Sequence, residues 1–115
     1  MEVLDRAAAL RRLGGNEKLF KEALQSFQRR GPGELESLAR ALQSGDAPLL
    51  EKRALALQEA AAQVGASGME HVLSCIAEAA QAGDLSEVAT LLAKLEMEFD
   101  WLCLILNTQA CSGNL

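Results

Sequence analysis

The sequence predicts an all-α fold, an up-down helical bundle with additional short N-terminal helices, about six helices in total, folded as one domain. Three observations predict it. Half of the 115 residues are hydrophobic while aromatics make up only 3 %, so the apolar half is aliphatic and alanine, mixed with Glu, Gln and Arg, all strong helix formers. Glycines punctuate the chain at Gly14 and Gly15, Gly31 and Gly33, Gly45, Gly65 and Gly68, then Gly83, each where a helix could end. Between these stops apolar residues recur at steps of three and four, which gathers them on one helix face.

Read outward from the glycines, the first segment spans about Val3 to Leu13. The second spans about Glu17 to Gln28 behind an Asn16 cap and turns Leu19, Phe20, Ala23, Leu24 and Phe27 inward. The third, about Glu34 to Gln43, presents Leu35, Leu38, Ala39 and Leu42, with Gly31-Pro32-Gly33 read as the break before it. Asp46 and Pro48 start a fourth helix that continues to Val64. A fifth from about Met69 to Ala82 buries Met69, Val72, Leu73 and Ile76. Asp84-Leu85-Ser86-Glu87 has capping-box spacing for a sixth, whose seam is Val88, Leu92, Leu95, Phe99, Leu102 and Leu106. Residues 1–107 form the domain and 108–115 a polar tail. Connections this short force neighbouring helices antiparallel.

Composition also excludes functions. Net charge is −5 and the eleven Lys and Arg are scattered, which argues against a nucleic-acid partner. Cys75, Cys103 and Cys111 are odd in number, far apart and accompanied by one histidine, His71, so neither a disulfide framework nor a zinc site is expected. Cys75 and Cys103 read as small hydrophobes and Cys111 as an exposed thiol in the tail. The longest strongly apolar run, Trp101 to Leu106, is far too short to span a bilayer, and no secretory leader opens the chain, so a cytoplasmic protein without a membrane partner is expected. That run is apolar around much of its helix, and is covered either by the first helix or by a second copy of the chain in a homodimer. With no phosphate loop, no nucleophile beside a base and no cofactor motif, no enzyme and no cofactor are expected.

On the fourth helix Leu50, Ala54, Leu57, Ala61 and Val64 form the inward stripe. Glu51, Leu55, Gln58, Glu59 and Ala62 then lie on the outer side, and Leu55 is wholly or partly exposed. Ala54-Leu55-Ala56-Leu57-Gln58-Glu59-Ala60-Ala61-Ala62-Gln63-Val64-Gly65-Ala66 resembles the signature of histidine phosphotransfer (HPt) domains, roughly A-H-x-L-K-G-x-A-x-x-[LIV]-G-A. The opening VLDRAAALRRLGGNEKLFKEAL and the close AGDLSEVATLLAKLEMEF are similar to the same family, so the resemblance covers roughly residues 2 to 102.

The resemblance implies a four-helix bundle of HPt type that meets a response-regulator receiver domain or a histidine kinase. In the family an exposed imidazole carries a phosphoryl group between receiver aspartates. A lysine three residues on supplies positive charge, and a glycine four residues on makes room for the partner. Leu55 stands at the histidine position, Gln58 at the lysine position and Glu59 at the glycine position, whereas the packing positions Ala54, Leu57, Ala61, Val64, Gly65 and Ala66 all fit. A leucine has no lone pair, a glutamine no charge, and a carboxylate repels phosphate. The expected function is therefore a phosphorelay module that docks without phosphotransfer, through Glu51, Leu55, Gln58, Glu59 and Ala62, with no catalytic residue. Two alternatives stand beside it: phosphotransfer through another residue such as His71, read as a surface histidine in the first turn of the fifth helix, or a structural or oligomerisation bundle.

Overall fold

The computed structural model describes residue 7, residue 11 and residues 13–114, with side chains to residue 105. These residues form four helices and no strand: α1 (Glu17–Gln43), α2 (Ala47–Gln63), α3 (Ser67–Gln81) and α4 (Leu85–Asn114). α1 packs on α2, α2 on α3, α3 on α4, and α4 closes the ring on α1. At 1.5 Å per residue the 27 residues of α1 and the 30 of α4 run about 40 and 45 Å, against about 25 Å for α2 and α3. The outer pair therefore extends past the inner pair and sets the 46 Å long axis.

One device builds all three connections. Gly45, Gly65 and Gly83 take φ of 68°, 73° and 75°, where a side chain would be strained. The following residue then donates back into the helix just ended: Asp46 N to Ala41 O at 3.0 Å, Ala66 N to Ala61 O at 2.9 Å, Asp84 N to Ala79 O at 2.9 Å. These bonds satisfy carbonyls the helix would leave bare and turn the chain at once into the next helix. Asn16, Asp46 and Asp84 cap α1, α2 and α4, each accepting from the backbone three residues on at 3.1 Å. α3 lacks a side-chain cap at Ala66. Glu98 of α4 instead lays its carboxylate on Gly68 in the first turn of α3, at the end of the helix dipole that favours an anion. Its Oε2 is buried and without a hydrogen-bond partner.

The expected second and third segments are one helix, which reduces the expected six. Gly31-Pro32-Gly33 lies inside α1 without breaking it. Proline removes one N–H from the ladder and crowds the carbonyl four residues back, a cost of about 3 kcal/mol that local sequence offers nothing to offset. The compensation comes from 68 positions away. Gly31 is buried under the ring of Phe99, so close that a Cβ at 31 would overlap it. Phe99 also meets Phe27 edge to face, centroids 6.3 Å apart at 62°. The helix is carried on past the proline by what it packs on.

Gly31→Ala is therefore expected to destabilise by about 1–3 kcal/mol through overpacking, although alanine is the better helix former. Gly33, with nothing within 4 Å of its would-be Cβ, should gain about 0.5–1 kcal/mol from the same change. Urea unfolding of both variants checks the pair; equal effects would contradict the close approach at Gly31.

The remaining core follows the predicted stripes. Leu50, Ala54, Leu57 and Ala61 of α2 and its C-cap Val64, Met69, Val72, Leu73 and Ile76 of α3, and Val88, Leu92, Leu95, Phe99 and Leu102 of α4 are all buried. Leu35, Ala39 and Leu42 are half-buried against that core, as is Ala23. Leu19 is a correction: expected inward, it is 46 % exposed, because it precedes Phe20 by one residue and so sits about 100° around the helix from it. Of the expected helix from Val3 to Leu13 only Ala7, Arg11 and Leu13 are described: Ala7 and Arg11 are helical and exposed, and Leu13 is half-buried on the core; the Leu106 side chain lies outside the described residues. The backbone of 108–114 continues α4. Among the described residues no helix is long and apolar enough to cross a membrane.

Candidate functional site

α2 owes its orientation to its apolar stripe, which docks Ala54 and Ala61 with no exposure at all. Small residues there, and Ala77, Ala79 and Ala80 on α3, let helices approach closely. The opposite face of α2 must then look outward. Leu55 stands on it, 48 % exposed.

The five residues expected on this face divide. Leu55 and Glu59 are exposed, while Glu51, Gln58 and Ala62 are half-buried. The division has a simple cause. With the buried stripe centred on Ala54, Leu57 and Ala61, the outermost line of the helix passes nearer Lys52 and Glu59 than Gln58, so Glu51, Gln58 and Ala62 lie on a flank. Lys52 and Ala56, both exposed, belong to the surface around Leu55 and were missed. Their signal was available: they sit three residues before and one after Leu55, on the side of the helix away from the apolar stripe.

Around Leu55 the charges are Glu51 and Glu59, one turn before and one turn after, and Lys52. Position 58, where an HPt motif has its cation, carries an uncharged amide. The surface can seat an apolar group and offers no nucleophile at position 55. The one histidine of the sequence, His71, is exposed on α3, the fifth residue of that helix, its Nε2 4.0 Å from the Cys75 sulfur. Among the described residues no three His, Cys, Asp or Glu side chains are grouped to hold a metal ion. Cys75 and Cys103 are half-buried free thiols, and the Cys111 side chain lies outside the described residues. Burial pushes the Cys103 thiol up from its ordinary value; a hydrogen bond with the Gln28 side chain opposes that, and the Asp100 charge adds to it.

No family model and no curated protein matches the chain. Its fold is similar to the crystal structure of histidine-containing phosphotransfer protein B (HptB) from Pseudomonas aeruginosa PAO1, with a TM-score of 0.84, 24 % sequence identity and 93 % of each chain covered. The four helices are thus an HPt-type helical bundle.

Proposed function

We propose that this chain is an HPt-like signalling module of a two-component phosphorelay that binds a receiver or histidine kinase domain without passing phosphate. One observation carries the reading. On α2 and the turn that follows it, the positions an HPt motif uses for packing, Ala54, Leu57, Ala61, Val64, Gly65 and Ala66, are buried, while the three it uses for chemistry hold Leu55, Gln58 and Glu59 at or near the surface. The HPt-type fold supports the phosphorelay context. Leu55 offers a partner about 1 kcal/mol of further apolar burial, as its side chain is half-covered already. A carboxylate at 59 would repel a phosphoryl group brought to the same spot.

The test has two arms. Incubated with an autophosphorylated histidine kinase and a labelled receiver domain, the chain should take up no label. In binding titrations against receiver domains, Leu55→Asp should weaken the complex about tenfold or more, since it places a charge at the centre of the contact. Unchanged affinity would remove Leu55 from the interface.

A second reading rests on the exposure of His71. If label appears and disappears in His71→Ala, the chain is a working phosphotransfer protein with a relocated acceptor.

A further inference from the structure

A second surface lies on the other side of the bundle, along the seam between α1 and α4. A groove of about 470 Å3 runs there, floored by Pro32, Leu35, Ala39 and Phe99 and rimmed by Glu36, Glu96 and Asp100. The Glu36 carboxylate is engaged by Arg40 at 2.7 Å. Glu96 and Asp100 make no ion pair among the described residues, and they stand one turn apart on α4, an arrangement of like charges that disfavours the helix itself. Beside this acidic row runs an apolar one: Met97, Trp101 and Leu104, at steps of four and three, are 63 %, 55 % and 56 % exposed. Of the run from Trp101 onward, expected to lie under the first helix or a second chain, Trp101 and Leu104 are exposed, Leu102 is buried and Cys103 and Ile105 are half-buried, while most of the first helix lies outside the described residues.

We infer that the α1–α4 groove and the adjoining row on α4 dock a basic amphipathic helix of a partner protein. The shape suits a helix laid along α4 beside the groove, its apolar residues meeting Met97, Trp101 and Leu104 and its basic ones reaching Glu96 and Asp100 on the rim. The charge decides among occupants. A second copy of this chain, at net −5, would bring two acidic rows together. Three side chains somewhat over half exposed offer on the order of a few hundred Å2, short of the roughly 800 Å2 per partner of a stable dimer. Lys or Arg flanking an apolar stripe would instead neutralise Glu96 and Asp100, which nothing described in the fold does.

Trp101, the one tryptophan of the chain, reports on the surface directly. Titration with a synthetic amphipathic helix of Leu and Lys should shift its emission to the blue, with affinity falling as salt rises. Glu96→Lys with Asp100→Lys, and separately Met97→Asp, should weaken binding about tenfold or more while circular dichroism stays helical. Leu55→Asp, on the face proposed for the receiver or kinase, should leave it unchanged, so failure of one surface does not carry the other with it. Equal binding of a Leu and Glu peptide, or full affinity in the charge-reversed variant, overturns the proposal. So does a blue shift with protein concentration alone, which would assign the surface to a second copy.

Discussion

Phe99→Ala is expected to remove about 4 kcal/mol of stability, read as a fall in the urea midpoint. A domain of this kind has about 5–15 kcal/mol in all, so the variant should lose between about a quarter and four fifths of its stability. The size of the effect follows from what surrounds the ring. Phe99 is buried, covers the backbone of α1 at Gly31 and meets Phe27 on its edge. With no side chain at 31 to swing into the gap, the cavity cannot collapse, which places the loss high in the range for aromatic truncation. It also uncovers α1 beside Pro32, where the helix already lacks a hydrogen bond. The two sites are coupled: Gly31→Ala, harmful in the native background, should become neutral or stabilising once the ring is gone. A loss below about 1.5 kcal/mol, or additive effects of the two changes, would contradict the packing described.

The second large effect is a gain. Leu55→His, Gln58→Lys and Glu59→Gly together should give a chain proposed to dock without phosphotransfer the ability to take a phosphoryl group at position 55. Because the side chain at 55 faces solvent, an imidazole there can reach a partner without rearranging the core. Its nitrogen attacks phosphorus in the receiver's aspartyl phosphate; the phosphorus–carboxylate bond breaks and the carboxylate leaves with the electron pair. The lysine offers charge to the transferring group, and the glycine clears the carboxylate, at a cost of about 1 kcal/mol in helix propensity. Leu55→His alone should be at least about tenfold slower, since Glu59 still repels the incoming group. Acid-labile label on the triple variant, counted after incubation with a labelled receiver, is the readout. A helical triple variant that stays unlabelled would mean the bundle has lost more than its acceptor, and the docking face with it.

How far these features could be read without coordinates depends on whether their cause is local. The C-terminal ends of α1, α2 and α3 and the starts of α2 and α4 were legible because glycine at φ near +70° and a capping side chain act within a few residues, whereas the run of α4 through the expected polar tail was not. The exposure of Leu55 was legible from period alone, since a stripe at Ala54, Leu57 and Ala61 leaves one direction for it. Gly31-Pro32-Gly33 misled for the complementary reason: every local rule ends a helix there, and the contact that overrules them belongs to Phe99. Leu19 was misplaced by treating neighbours in sequence as neighbours in burial. The centre of the α2 face was set a little to one side of Lys52, although the apolar stripe already places Lys52 and Glu59 opposite it. The α1–α4 groove was out of reach altogether, being a property of two helices and of neither one.

Three seams of the ring join consecutive helices through the same tight turn, and only the fourth, α1 against α4, joins segments remote in the chain. Closing it carries the loop entropy of everything between, whereas the hairpins form at little such cost. On that ground the seam around Phe99 is expected to be the last to shut and the first to open, an order that hydrogen exchange along α1 and α4 would check. A helix seated in the groove beside it would bind only the shut form, so its affinity would be drawn into holding the seam closed. Partner and fold would then be linked at the place where the chain has the least local means of holding itself together.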